Sequence, residues 1–484
     1  MRKSNIFIVA LIFAIWSVVL FYGKQIGLSM ILFVAPLSYY LVHLLEKNNK
    51  IKNQRAKILL IPIILLASTY LIYNNQFFNN LNLIIIPFLI IVMLVSMFTK
   101  KFNTEIWIEK AVGMLLDPIA YCGETLKKVK MAFLRKFKLR SNEKNGSNAK
   151  KVFKGILITI PIALIIIGML ASADTEFSNA LSSIVTVCAK ALGNIKFIEI
   201  IARVGITVIV FIYLASFFDN LVSKFKIEEE ENESKTLKDN TTIKILITTL
   251  NIIYLIFAII QIKAIMVRDI NINYANYARQ GFFQLMIISV LNLIMILIAK
   301  RKDYKDNNYT NIMCLFMVFF TFILIITSAI RMYFYEQAYG YTFLRLAVYF
   351  TLLTEAILLI PTILYVVNKK KKLLKTYFSI IVTMYVIINL VNIDNIIASR
   401  NVTRYLETGK IDMAYIENNT GTDAIKQIIR ILQSDKDENG TKQIASIYLV
   451  NTYEKLNNEN SDFRDFNISK ALAKYNIGRL NLNY

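Results

Sequence analysis

Glu355 is an acid alone in the apolar run TFLRLAVYFTLLTEAILLIPTILYVV. Counted from Thr342, it lies about 20 Å along a helix that rises 1.5 Å per residue, near the middle of a stretch long enough to cross a bilayer. A charge at such a depth costs roughly 2.5–3.5 kcal/mol on insertion scales, so the residue needs a purpose. Thr351, Glu355 and Thr362 recur at helical spacing and share a face. Two chemistries follow: a protonated, hydrogen-bonded structural acid, or a coupling group that exchanges protons or ions along a path. Asn251 and Asn292, inside other apolar runs, are candidate neighbours or interhelical hydrogen-bonding residues.

A second set of reactive side chains gathers at the ends of apolar runs. Asp174 lies in ASADTEF, Tyr277 and Arg279 in YANYARQGFF, and Arg331, Tyr333 and Glu336 in RMYFYEQAYGYTFLR, which closes with Arg345. Snorkelling explains isolated long cations such as Arg203 and Lys263. Acids, cations and tyrosines meeting at one boundary permit more: a structural belt of ion pairs and aromatics, or an outward-facing binding cleft. Both readings stand on the sequence. No catalytic, nucleotide or metal motif appears and no cofactor is implied. The three cysteines, Cys122, Cys188 and Cys314, form no CxxC pair, and the single His43 cannot make a zinc site alone.

These residues must be positioned by membrane helices. The chain has 484 residues, 56% of them hydrophobic, and a mean hydropathy of +0.50, which a soluble core of this size would not require. Apolar runs predict an all-α, polytopic bundle of eleven spans: residues 6–22, 26–45, 58–73, 81–99, 155–173, 199–218, 242–266, 282–299, 309–330, 342–367 and 376–393. With the amino terminus inside, 34 Lys and Arg fall in cytoplasmic segments and 6 in outer loops, the asymmetry expected of a retained orientation. The carboxy terminus is then extracytoplasmic. The expected organisation is four amino-terminal spans (1–99), a basic amphipathic cytoplasmic segment (100–154), a seven-helix membrane core (155–393) and a small helical extracytoplasmic tail (394–484).

The net charge of +23 resides in the membrane part, because the tail balances 12 Lys and Arg against 12 Asp and Glu. The excess reads as topology and lipid contact, and nucleic-acid binding is not invoked. Leu126, Val129, Phe133 and Phe137 recur at helical spacing among lysines and arginines. Residues 126–138 therefore suit an anionic inner leaflet, or alternatively a helix packed beneath the bundle. A packed cap on the outer face is preferred for the tail over a partner-binding repeat.

The strings ASADTEF, YANYARQGFFQL, IRMYFYEQAYGYTFLR and NIDNIIASRNVTRYLETGKIDMAYI resemble the bacterial membrane family catalogued as domain of unknown function 4173, related to number 4153. The resemblance implies a multispan bacterial cell-membrane protein and brings no activity with it. It directs attention to Asp174, Tyr277, Arg279, Arg331, Tyr333, Glu336, Arg345, Asp394, Asn401, Arg404 and Asp412. The last four open the tail, so they either dock it, with Asp394, Arg404 or Asp412 meeting cations such as Arg279 and Arg331, or frame a ligand pocket. Three classes follow: a non-enzymatic component that senses or binds at the envelope beside a membrane-protein partner, a secondary transporter coupled through Glu355, and a membrane transferase or hydrolase, for which Asp174 is the strongest acid.

Overall fold

A computed structural model describes residues 3–99, 104–136, 174, 176–180, 182–183, 195–225, 241–266, 282–302, 308–368, 373–438, 440–459 and 462–480. Among the described residues the regular elements are helices and no strand occurs. Nine of these helices are long and apolar enough to cross a membrane, and the helix at residues 5–21 is apolar but shorter. A helical membrane bundle follows, because a helix satisfies its own backbone where lipid offers no hydrogen bonds. The expected span at 155–173 lies outside the described residues.

The chain divides into two compact units. The first comprises residues 1–71, 82–229 and 461–466; the second comprises 72–81, 230–460 and 467–484. In the first unit, α1 (Lys3–Phe21), α2 (Leu28–Lys47), α3 (Leu60–Ile72), most of α4 (Gln76–Phe98), α5 (Thr104–Ala120), α6 (Cys122–Lys136) and α7 (Ile195–Ser223) run in order. Phe13 and Tyr40 pack against Phe218 at centroid distances of 6.4 and 5.1 Å. The described part of the basic segment, residues 104–136, folds as α5 and α6. Lys128 of α6 pairs with the buried Asp219, and Lys224 pairs with Glu124 at 2.7 Å while covering the Tyr121 ring, so two cations near the predicted leaflet face have protein partners.

The second unit holds α8 (Thr241–Met266), α9 (Phe282–Lys302), α10 (Asn308–Tyr339), α11 (Phe343–Val367) and α12 (Leu373–Leu390). Cys314, Met317, Ile296, Val348 and Leu359 are among their buried core. Polar groups inside these helices are consumed locally: Thr321 donates to Met317 O (2.7 Å), Asn292 donates to Thr321 Oγ1 (3.0 Å), and Asn251 donates to Met313 O (2.9 Å). Helix α10 outlasts its apolar run by nine residues, because nothing in RMYFYEQAY breaks a helix. Gly340 does so, at φ +81°, and its N–H donates to Glu336 O (2.7 Å). Arg331, Tyr333 and Glu336 are thus helical residues where a loop was expected.

The tail of this unit contains α13 (Ile393–Thr408), α14 (Met413–Asn419), α15 (Ile425–Gln433), α16 (Thr441–Asn458) and α17 (Ile468–Gly478). Tyr405, Ile416, Ile428, Leu449 and Ile477 form its closed core. A smaller cluster of Phe78, Ile388, Ile393 and Ile397 packs with Phe343 and Tyr415, so tail and membrane helices share apolar contacts within one unit.

Candidate functional site

The tail meets the membrane helices of its unit through asparagines that each do two jobs. An Asx side chain before a helix accepts from a first-turn N–H, which leaves the amide NH2 of an Asn free for another partner. Asn75 accepts from Phe78 N (3.0 Å) and donates to Asp394 Oδ1 (2.7 Å). Asn392 accepts from Asn395 N (3.0 Å) and donates to Asp423 Oδ1 (3.2 Å). Asn467 accepts from Lys470 N (3.0 Å) and donates to Tyr73 O (2.8 Å). Two acids complete the junction: Gly421 N donates to Asp394 Oδ2 (2.9 Å), and Asn74 N donates to Asp423 Oδ2 (2.8 Å).

Neither acid meets a cation among the described residues. Burial pushes Asp394 up to about 6, aided by the neighbouring Asp423 charge and opposed by the Gly421 and Asn75 donors. Burial likewise raises Asp423 against its three donors. Among the described residues the tail is therefore docked by amides; Arg279, one of the cations that the sequence suggested for Asp394, lies outside them. Asn74, Asn75, Asn392, Asp423 and Asn467 were not singled out from the sequence. The available signal was an Asx residue just ahead of each helical run.

The other singled-out residues separate by role. Asn401 is buried and clamps Tyr341 on both sides, accepting from its N–H (2.9 Å) and donating to its C=O (2.8 Å). Arg404 donates to Ala338 O (2.8 Å), and Asp412 accepts from Tyr415 N (2.9 Å) as the cap of α14. Arg345 is buried, donates to Gly340 O, and stacks 4.4 Å over the Tyr335 ring. Glu336 is buried and hydrogen-bonded by the Tyr341 and Tyr349 hydroxyls; burial first, and then Glu336, pushes Tyr341 up to about 12. Arg331 is half-buried and Tyr333 is exposed. Asp174 belongs to the first unit, where it is exposed and accepts from Glu176 N (2.8 Å). Tyr277 and Arg279 lie outside the described residues.

Glu355 sits elsewhere, on the wall of a cleft of about 560 Å³ between α9, α11, α12 and the first residues of α4. Phe77, Phe78, Phe343, Phe350 and Leu358 are among the apolar side chains that line it. Only 2% of Glu355 is exposed; Oε2 is hydrogen-bonded to Ser289, and the buried Oε1 has no partner among the described residues. Asn251 and Asn292 bond to other groups, and Ser289 is the neighbour that sequence reasoning missed. The Ser289 hydroxyl also lies 2.7 Å from Met286 O, and one proton cannot serve both acceptors. An ionised Glu355 takes that proton; a protonated Glu355 donates to Ser289, which then donates to Met286 O. The pair accommodates either protonation state.

Besides Tyr385, which also lines the cleft, three hydroxyls at its wall offer lone pairs only. Thr351 donates to Ala347 O (2.9 Å) and Thr354 to Phe350 O (2.8 Å). Thr362 donates to Leu358 O, so the Tyr377 hydroxyl beside it must donate to Thr362. Such a wall can accept hydrogen bonds and bury apolar surface. Among the described residues no group of His, Cys, Asp and Glu could hold a metal ion.

Comparison with known proteins finds no matching curated protein and no matching solved structure. The model of the family described as Domain of unknown function (DUF4153) matches residues 60–431, a stretch that includes the cleft helices, the clamp at Asn401 and the acids at 394 and 423. By that match over most of its length, this multi-pass helical chain belongs to the DUF4153 family.

Proposed function

We propose that the chain is a non-enzymatic binding component of a bacterial cell membrane, taking a small amphipathic ligand between the helices of its second unit. One observation carries the reading: Glu355 Oε1 is buried and unpartnered at the wall of a mainly apolar cleft. A structural acid is expected to have its hydrogen bonds completed by the protein, as Asp394 has. The volume lies within the roughly 300–1,000 Å³ usual for small-molecule sites. Asp394, Asn401 and Arg404, by contrast, are spent on docking the tail, so they favour a sensing or scaffolding role over a second pocket. Cation distribution supports a cytoplasmic amino terminus and an extracytoplasmic tail. The basic stretch 126–138 remains a candidate contact for anionic inner-leaflet lipid, and a membrane-protein partner is part of the same reading. The strings that resemble the 4173 branch support placement there within the wider family.

Filling the cleft tests the proposal. Ala347 lines it, and Ala347→Phe should remove a small molecule that copurifies with the unaltered protein, read by mass spectrometry of extracts from equal amounts of folded protein. Identical extracts from both proteins would sink the binding reading.

A second reading, a secondary transporter coupled through Glu355, is favoured by the Ser289 arrangement that serves both protonation states. It expects proton-linked flux in vesicles to fall with Glu355→Gln; an unchanged rate counts against coupling.

A further inference from the structure

The hydrogen-bonding character of the cleft narrows its ligand. An ionised carboxylate out of water needs a counter-charge or a proton. Among the described residues no Lys, Arg or His lines this space. The protons of Thr351, Thr354 and Tyr377 are committed to other oxygens, so these groups can only accept. A phosphate or carboxylate ligand would enter beside the Glu355 carboxyl with no cation among the described lining residues to pair its charge. A neutral lipid tail would fill the volume and leave Glu355 Oε1 without a partner. A positively charged donor attached to an apolar body matches each feature, with its nitrogen at Glu355 and its hydrocarbon against Phe77, Phe78, Phe343 and Phe350. The aromatic rings add favourable faces for a cation.

We propose that the Glu355 cleft binds protonated organic amines, with the ammonium paired to the Glu355 carboxylate and the apolar portion packed between α9, α11 and α12. This specificity rests on the reading of the cleft as a ligand site, and the two can fail separately.

The test uses the full chain in nanodiscs of neutral lipid, with dansylcadaverine as a fluorescent primary amine and its N-acetyl derivative as the uncharged control. Binding is the saturable signal above that of empty nanodiscs. The unaltered protein should bind the amine at least tenfold more tightly than the acetylated probe. Glu355→Gln should erase that preference and Glu355→Asp should retain much of it, with melting temperatures near that of the unaltered protein. Should the Gln variant fail to fold, the pair of probes on the unaltered protein reads the same charge dependence. Equal affinity for both probes, or no saturable amine binding, overturns the amine assignment. If both probes bind equally and Ala347→Phe abolishes both, the cleft is a site for neutral amphiphiles. If Ala347→Phe leaves all binding intact, the cleft reading itself falls.

Discussion

An acid removed from water must be protonated, paired or hydrogen-bonded, and the second unit contains examples of different solutions. Asp394 is 1% exposed and accepts from Asn75 and Gly421, with no cation beside it among the described residues. Its carboxyl titrates at about 6 in the folded chain against an ordinary 3.8, and burial pushes Asp423 the same way. A folded-state value above the unfolded one means that the native state holds the proton more tightly. The contribution to stability is therefore greatest below about pH 4 and is lost as pH rises through about 6, on the order of 3 kcal/mol for Asp394 alone. Asp462, held well below the usual range by Arg464 and then Lys24, titrates below that window and does not disturb it. The purified protein should melt at a higher temperature at pH 5 than at pH 7.5, and Asp394→Asn should remove much of the difference. An Asn variant with an unaltered pH profile would mean that Asp394 is not the group that senses protons. Glu355 could be read from the sequence because one acid in an apolar run is conspicuous. The Asn75–Asp394 contact could not, because it joins short polar residues separated by 319 positions.

At the scale of elements, ten of the eleven expected spans correspond to described helices, because lipid solvation demands long apolar runs and the chain supplies them. Boundaries depended on subtler signals. Helix α10 passes its apolar limit to reach Gly340, and α11 starts where Thr342 turns extended and the Tyr415 hydroxyl accepts from Phe343 N (2.7 Å). That junction depends on one glycine. Its φ is +81°, and an added Cβ would come 2.6 Å from Asn401 Oδ1 and 2.9 Å from Arg404 Nη1. Gly340→Ala must strain the backbone and displace the Asn401 clamp on Tyr341, so we expect a loss of about 2–3 kcal/mol, measured by thermal melting and by folded yield. Gly205, inside α7 with nothing within 4 Å of an added Cβ, is the control; Gly205→Ala should be neutral or stabilising by up to about 1 kcal/mol. Equal effects at the two glycines would refute the clamp. The tail helices were legible from their periodicity, whereas their docking surface was not, because an Asn before a helix announces the cap and not the partner of its second half.

Across the whole molecule, sidedness decides what the cleft and the tail can encounter. The asymmetry of 34 cations against 6 depends on every expected span crossing, including residues 155–173, which lie outside the described set. Removing that one crossing would put the segments 47–57 and 226–240 on opposite faces and strand one group of cations outside, against the usual bias. A pair of reporters reads this directly. Fusions inserted in 47–57 and in 226–240 should both report the cytoplasm, and a fusion after Tyr484 should report the exterior. Opposite results for the first pair would remove the fifth span and reverse the predicted sidedness of the second unit relative to the amino terminus. A cytoplasmic signal after Tyr484 would place the Asp394 junction inside the cell, where a steadier pH would give its titration less to respond to. With the expected results, the amide-docked tail faces the medium whose pH changes most, which is where a proton-sensitive junction has most to respond to.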